Sequence, residues 1–451
     1  MTVLEHDLPL ARSRPRVPSI WPPLLLSLWI AATFAEFRRR DVGDLWGGGG
    51  FDAQVLFQIS SWVIFGLLAI WLLATGRAEL RLLRRGPLFW YCGFIAVAVI
   101  STVYSAAPML SLYRSIQLAV AVVLVISLRE RLCHLYMLIV AYVAVNWVLF
   151  LIGLFGLDGG IGWLRGPNDL YVDYGGNAYE AWRLWTAFGH PSHISIVAGV
   201  VAIGLAARVR GRQWYTHGPV IAWLLLTVML TVSRSAIVAV VIGLGLVAAT
   251  RRGFLPMVAL GCGALFLVLL MPDAHQAIVE FLMRGQSAED FASLSGRKQI
   301  YDAAMAHLEE AWFLGHGFRA ARVYVLGDHG MVHAHNLILE VWLGLGVLGV
   351  VMACGVVLAL VRAMLTLMLT RTIETSMDDR WELVGIAIPV LAFCVLDSGF
   401  ALEVNPFVMV FIAVLAKIEI EQRRLASTGA PIERRGHGDA SARASAPPEM
   451  S

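Results

Sequence analysis

Two residue types stand where the chain could do chemistry, and the first is histidine. His190, His193, His316, His329, His333 and His335 lie at or near segments expected at the outer face rather than inside apolar runs. A neutral imidazole with an ordinary pKa of about 6.5 can take a proton from a hydroxyl near neutral pH, which is general-base chemistry. Metal binding is the alternative, because His333-Ala-His335 would bring two imidazoles together if extended. No acidic third ligand stands at a recognisable spacing such as HExxH, and this argues against a metal. If the segment is already helical, His333 points away from His335. His335 is set apart by the residues after it: His335-Asn-Leu-Ile-Leu-Glu-Val-Trp-Leu-Gly-Leu-Gly-Val-Leu-Gly349 places it at the mouth of an apolar run interrupted by Gly344, Gly346 and Gly349. In a membrane such glycines permit close helix packing or a bend.

Arginine is the second type. Arg183 precedes an apolar run, Arg234 sits in Thr231-Val-Ser-Arg-Ser235 between two runs, Arg297 opens an amphipathic segment, and Arg114 lies inside an apolar segment. An unpaired charge at such a place costs about 3 kcal/mol or more. Any one of them is explained by snorkelling to headgroups or by a carboxylate partner. Together they make a basic cluster suited to a pyrophosphate, whose oxygens match the planar guanidinium fork.

The elements that must position these groups are set by composition. The 451 residues are 58% hydrophobic and only 15% charged, with a mean hydropathy of +0.71, where a soluble protein carries about 25% charged residues. A water-soluble enzyme and a single-span receptor are both excluded. The net charge of +3 is too small to imply a nucleic-acid partner. The five cysteines lie in apolar runs with no CxxC spacing, so neither disulfides nor a zinc site are expected from them.

Apolar runs predict about twelve membrane helices, at about 18–36, 55–75, 87–105, 109–127, 132–156, 190–208, 218–233, 235–250, 253–271, 336–361, 382–399 and 404–419. Residues 1–17 form a polar N-terminal segment, 18–271 hold the first nine spans, 272–335 a large loop, 336–419 the last three spans, and 420–451 a tail rich in Ala, Ser, Pro and Gly that reads as disordered. No small-residue cleavage motif comes after the first apolar run, so a removable signal peptide is not expected. Most of the 35 basic residues fall on one side of this arrangement, which puts both termini in the cytoplasm and the 272–335 loop outside. Within that loop, Ile300, Ala303, Ala304 and Leu308 recur at helical spacing after the capping residues Ser293 and Ser295. They predict an amphipathic helix at the outer face. Many tryptophans, such as Trp163, Trp182, Trp185 and Trp312, fall near the outer interface, as belt residues do.

Several of these segments in order carry a resemblance. Ser105-Ala-Ala-Pro-Met-Leu-Ser-Leu-Tyr-Arg-Ser-Ile-Gln117, Ser233-Arg234-Ser235, Ser295-Gly296-Arg297 with Tyr301, Trp312-Phe-Leu-Gly-His-Gly-Phe318, and His335-Asn336 with the downstream Gly346-Val-Leu-Gly349 resemble the O-antigen ligase and polysaccharide polymerase superfamily over about residues 87 to 420. The resemblance implies an all-α polytopic membrane protein with a class C glycosyltransferase-like fold, about twelve transmembrane helices and a large periplasmic loop. It also implies metal-independent transfer of glycan from an undecaprenyl-pyrophosphate-linked donor to a glycan or lipid acceptor, at a bacterial inner membrane and without a cofactor. Carried over by motif, Arg234 and Arg297 bind the pyrophosphate and His335 activates the acceptor hydroxyl, with Arg183 as a further outer arginine. Ser233, Ser235, Tyr301, Asn336 and Glu340 are candidate supporting residues. Val350 and Val351 stand where lipid A-core ligases often show two threonines, which favours a polymerase of exopolysaccharide or O-antigen over a ligase. Membrane lipids and polysaccharide export or assembly proteins are the implied partners.

Two other classes compete. Glycine-interrupted spans also suit a transporter or flippase, although the unusual residues lie at span ends rather than at the bilayer midplane. A non-enzymatic scaffold of an export complex is the third.

Overall fold

The computed structural model describes residues 53–127, 132–155, 184–186, 189–209, 211–249, 297–321, 333–369, 377–397, 399–401 and 403–428. The expected spans at 18–36 and 253–271, most of the loop at 157–189, Arg183, His329 and the tail beyond 428 lie outside them. The described chain is helical: α1 (Ala53–Ala74), α2 (Gly86–Ile100), α3 (Pro108–Ser127), α4 (Leu132–Leu154), α5 (Pro191–Arg208), α6 (Trp214–Leu230), α7 (Arg234–Ala249), α8 (Arg297–Ala311), α9 (Leu337–Leu369), α10 (Met377–Leu396) and α11 (Pro406–Thr428). Among the described residues no β-ladder forms, only an isolated bridge between Thr186 and Gly189.

Six of these helices are long and apolar enough to cross a membrane, and α6 and α7 are shorter apolar helices. Their outer surfaces are apolar. Leu67, Ile70, Val241 and Leu358 are all more than 60% exposed, as lipid-facing side chains must be when the solvent is hydrocarbon. The helices differ in depth within the bundle. Only 17% of α1 is buried against 78% of α5, so α1 is peripheral and α5 is the central post, packed by α4, α6, α7, α10 and α11.

Lipid supplies little hydrophobic drive between helices, so close approach of small residues must do much of the packing. A Cβ on Gly243 would lie 2.8 Å from the Gly385 carbonyl oxygen, and one on Gly199 would lie 2.1 Å from Val240. These two contacts press α7 against α10 and α5. On the other side of the bundle, Tyr91, Phe94, Phe400, Phe407 and Phe411 form a buried aromatic cluster between α2, the Gly399–Ala401 turn and α11.

The glycine-interrupted run is a broken helix. At Gly346 the backbone takes φ 62° and ψ −158°, and a Cβ there would sit 1.9 Å from the Phe313 carbonyl oxygen. A break inside a membrane helix strands backbone groups that must find partners within the protein. The Trp312–Phe318 motif supplies them. His316 and Gly317 N–H donate to the carbonyls of Leu343 and Gly344, both at 2.8 Å, and Val347 N–H donates to the Phe313 carbonyl at 3.1 Å. The same motif is tied to the Ser105–Gln117 segment, where Ser111 donates to the Phe318 carbonyl at 2.7 Å and Ala106 N–H to the His316 carbonyl at 3.0 Å, and to Ser101 just before it, whose Oγ accepts the Phe318 N–H at 3.0 Å. The nearest atoms to a Cβ on Gly349 belong to Leu345 and Val341 of its own helix.

The amphipathic helix expected after Ser295 is α8. Ile300, Ala304 and Leu308 are buried against Ala321, Ala334 and Leu343, with Trp342 half-buried beside them. It packs on Ala334, the residue before His335.

Candidate active site

The helix ends bring His335 into a polar cluster at one end of the bundle. Its Nδ1 lies 3.3 Å from Oδ1 of Asp397, a buried carboxylate just past the end of α10. The segment before α9 is not helical, so the expectation that His333 points away is corrected. The two rings stand 4.0 Å apart, centroid to centroid. Burial first, then the neighbouring His335 imidazole, push His333 well below the ordinary histidine pKa, which keeps it neutral. Asn336 caps α9 by accepting the Leu339 N–H on Oδ1 at 3.1 Å.

Behind this pair lies an ion network that sequence spacing did not assemble. Arg319, with a side chain only 2% exposed, bridges two carboxylates: Nη1 donates to Glu340 at 2.7 Å and Nη2 to Glu403 at 3.2 Å. The other oxygen of Glu340 accepts the Ala334 N–H at 2.8 Å. One carboxylate thus links a buried cation to the backbone between the two histidines. Glu403 also meets Arg114 at 3.6 Å, and Arg114 donates to Gln117 at 3.1 Å. The half-buried Arg114 inside its apolar helix is therefore explained by a carboxylate partner.

Arg234 is the first residue of α7 and is half-buried, between buried Ser233 and half-buried Ser235. Its level is set by packing. Gly199 meets Val240 across α5 and α7, so His193 and Arg234, each six residues earlier, stand at the same height on parallel helices. Gly243 meets Pro389 of antiparallel α10, and at about 1.5 Å per residue the nine residues back to Arg234 and the eight forward to Asp397 cover similar distances. Asn405 closes the ring, 3.5 Å from His193. Arg297 opens α8, and its side chain lies outside the described residues. Tyr301 is half-buried on α8.

Helices α3, α5, α7, α9 and α11 all start at this end, so their N-termini add partial positive charge that favours an anion. The opposite end carries a separate network, where buried Glu382 accepts from Tyr136 at 2.5 Å and pairs with Arg208.

A helical bundle with lipid-facing apolar helices and a half-buried histidine–carboxylate pair at one end defines a polytopic membrane protein with a candidate catalytic centre. Residues 219–354 match the family model described as O-antigen ligase, which supports placing the chain in the O-antigen ligase superfamily. Proteins of that family are enzymes of glycosyltransferase type that act on a lipid-linked glycan and an acceptor. No curated protein matches the chain. The matched stretch holds Arg234, Arg297, Arg319, His335 and Glu340. Arg114, Asp397 and Glu403 lie beyond it and enter the site only through the fold.

Proposed function

We propose that the protein is a metal-independent, inverting glycosyltransferase that uses an undecaprenyl-pyrophosphate-linked glycan at the periplasmic face of the inner membrane. Polymerisation of an exported polysaccharide is the favoured reaction. Ligation to lipid A-core uses the same chemistry with another acceptor, and the name of the matched family keeps it as the second reading.

The observation that carries the proposal is the His335–Asp397 pair at 3.3 Å, at the end of the bundle where α9 starts and α10 ends. With Nδ1–H donating to Asp397, the Nε2 lone pair of His335 is left to accept a proton. The acceptor hydroxyl gives its proton to Nε2 as its oxygen attacks the anomeric carbon. The bond from that carbon to the pyrophosphate oxygen breaks on the opposite side, and its electron pair leaves with the pyrophosphate. Attack opposite the leaving group inverts the anomeric configuration. Arg234, Arg297 and Arg183 hold the pyrophosphate and offset its growing charge, while Asp397 offsets that of the imidazolium.

The test is the purified protein in liposomes with a lipid-linked oligosaccharide. A longer glycan on the carrier lipid identifies a polymerase, transfer to a second lipid identifies a ligase, and relocation without a new glycosidic bond rejects both in favour of a flippase. His335→Ala should lower the rate by about 10²–10⁴, Arg234→Lys should lose much donor binding or turnover because it keeps charge without the fork, and EDTA should cost nothing. Full activity of His335→Ala would remove that residue from catalysis.

A further inference from the structure

We propose that His333, His335 and Asp397 form an inhibitory site for a divalent first-row transition-metal ion, zinc above all, which shuts off the general base by holding it in the wrong tautomer. The inhibitory part rests on the reading of His335 as the base. The site itself rests on geometry alone.

Sequence spacing offers two imidazoles and no third ligand. The fold supplies one from 62 positions away, and the ligand atoms of His333, His335 and Asp397 all lie within 4.8 Å of one another. Zinc with bonds of about 2.0–2.1 Å in tetrahedral geometry separates its ligand atoms by about 3.3 Å. Nδ1 of His335 and Oδ1 of Asp397 already stand at that separation, 3.3 Å, and the His333 ring lies 4.0 Å from the His335 ring, centroid to centroid. Two imidazoles and a carboxylate form a nitrogen–oxygen set of the kind zinc prefers, with the fourth position left to water. Calcium and magnesium, which take oxygen ligands, fit it poorly.

Inhibition is decided by where the imidazole proton sits. Catalysis needs the proton on Nδ1, facing Asp397, and a lone pair on Nε2. An ion seated between His335 and Asp397 takes the Nδ1 lone pair, so the proton of the neutral ring moves to Nε2. No proton leaves the ring. Nε2–H is then a donor and cannot accept a proton from a hydroxyl. The same ion also draws the Asp397 carboxylate away from its role beside the base. A metal at this place therefore blocks the reaction, and the metal-free enzyme is the active one.

The experiment uses the full-length protein in detergent, stripped with EDTA and then freed of chelator. One equivalent of Co²⁺ should give the visible absorption of a tetrahedral cobalt centre, bleached by one equivalent of Zn²⁺ and absent in His333→Ala and His335→Ala. Glycan transfer by the parent should fall at least tenfold in micromolar Zn²⁺ and recover with EDTA. His333→Ala should keep the transfer rate in metal-free buffer and need at least tenfold more Zn²⁺ for the same inhibition. No cobalt band in the parent, or a band that persists in both variants, overturns the site. Equal zinc inhibition of parent and His333→Ala overturns the mechanism. If His335→Ala transfers glycan at the parental rate in metal-free buffer, the base assignment and the inhibition fall together, while the cobalt spectrum still decides the site.

Discussion

His335 and Arg319 are both non-glycine residues at positive φ, 49° and 62°, a conformation that costs of order 1–3 kcal/mol and survives only when its surroundings enforce it. Each is enforced by a carboxylate: Asp397 faces the His335 ring, and Glu340 holds both the Arg319 guanidinium and the Ala334 N–H. Asp397→Asn tests the first restraint. Asn keeps the size but can present a donor to Nδ1, which moves the ring proton to Nε2. The expected result is a kcat reduced by about 10²–10⁴ with the donor KM within a few-fold. An unchanged kcat would make Asp397 a structural neighbour only.

Elements carry the next layer, because the histidine loop is held by a network rather than by one contact. Removing Arg319 leaves Glu340 buried without the Arg319 cation and takes that cation from Glu403, a loss of about 3–5 kcal/mol when a buried pair is broken on one side. Arg319→Met should lower the thermal midpoint of the solubilised protein, and adding Glu340→Met should recover part of the loss. A single variant as stable as the parent would show that the network does not hold the loop. The break in α9 makes a sharper prediction. Gly346→Ala places a Cβ 1.9 Å from a carbonyl oxygen at positive φ, whereas among the described residues nothing lies within 4 Å of a Cβ on Gly245. Yield of folded protein should collapse for Gly346→Ala and stay at the parental level for Gly245→Ala. Equal yields would mean the half-helix re-forms a continuous one.

For the whole molecule, orientation is the quantity that the arginine asymmetry predicts. Gln213, exposed beside the start of α6, and Glu309, exposed on α8, stand at opposite ends of the bundle. Single cysteines there, in a background without Cys92, Cys133, Cys262, Cys354 and Cys394, should label oppositely with an impermeant thiol reagent. In intact spheroplasts position 309 should react and position 213 should not. The reverse pattern would turn the protein over and move the candidate site to the cytoplasmic side.

Sequence alone determined what repeats locally or is bounded by the solvent. Apolar runs are legible because hydrocarbon tolerates few charges, so α1 to α7, α9 and α10 fall close to the runs they come from, while α11 continues to Thr428, past the expected end at 419 and into the stretch read as a disordered tail. Ile300, Ala304 and Leu308 announced the buried face of α8 because helical period is a property of adjacent turns. His335 was visible at the head of its run for the same reason. Tertiary structure alone decided the partners. Asp397, Glu403 and Arg319 carry no local pattern, since an acidic residue at the end of an apolar run looks like any interfacial charge until a distant helix end meets it. His333 turned toward His335 because α9 starts only at Leu337, and the bond from Ala334 to Glu340 holds that segment out of the helix. The site depends on which helix ends coincide, and that is set by small-residue contacts such as Gly199 with Val240 and Gly243 with Gly385, which join positions far apart in the chain.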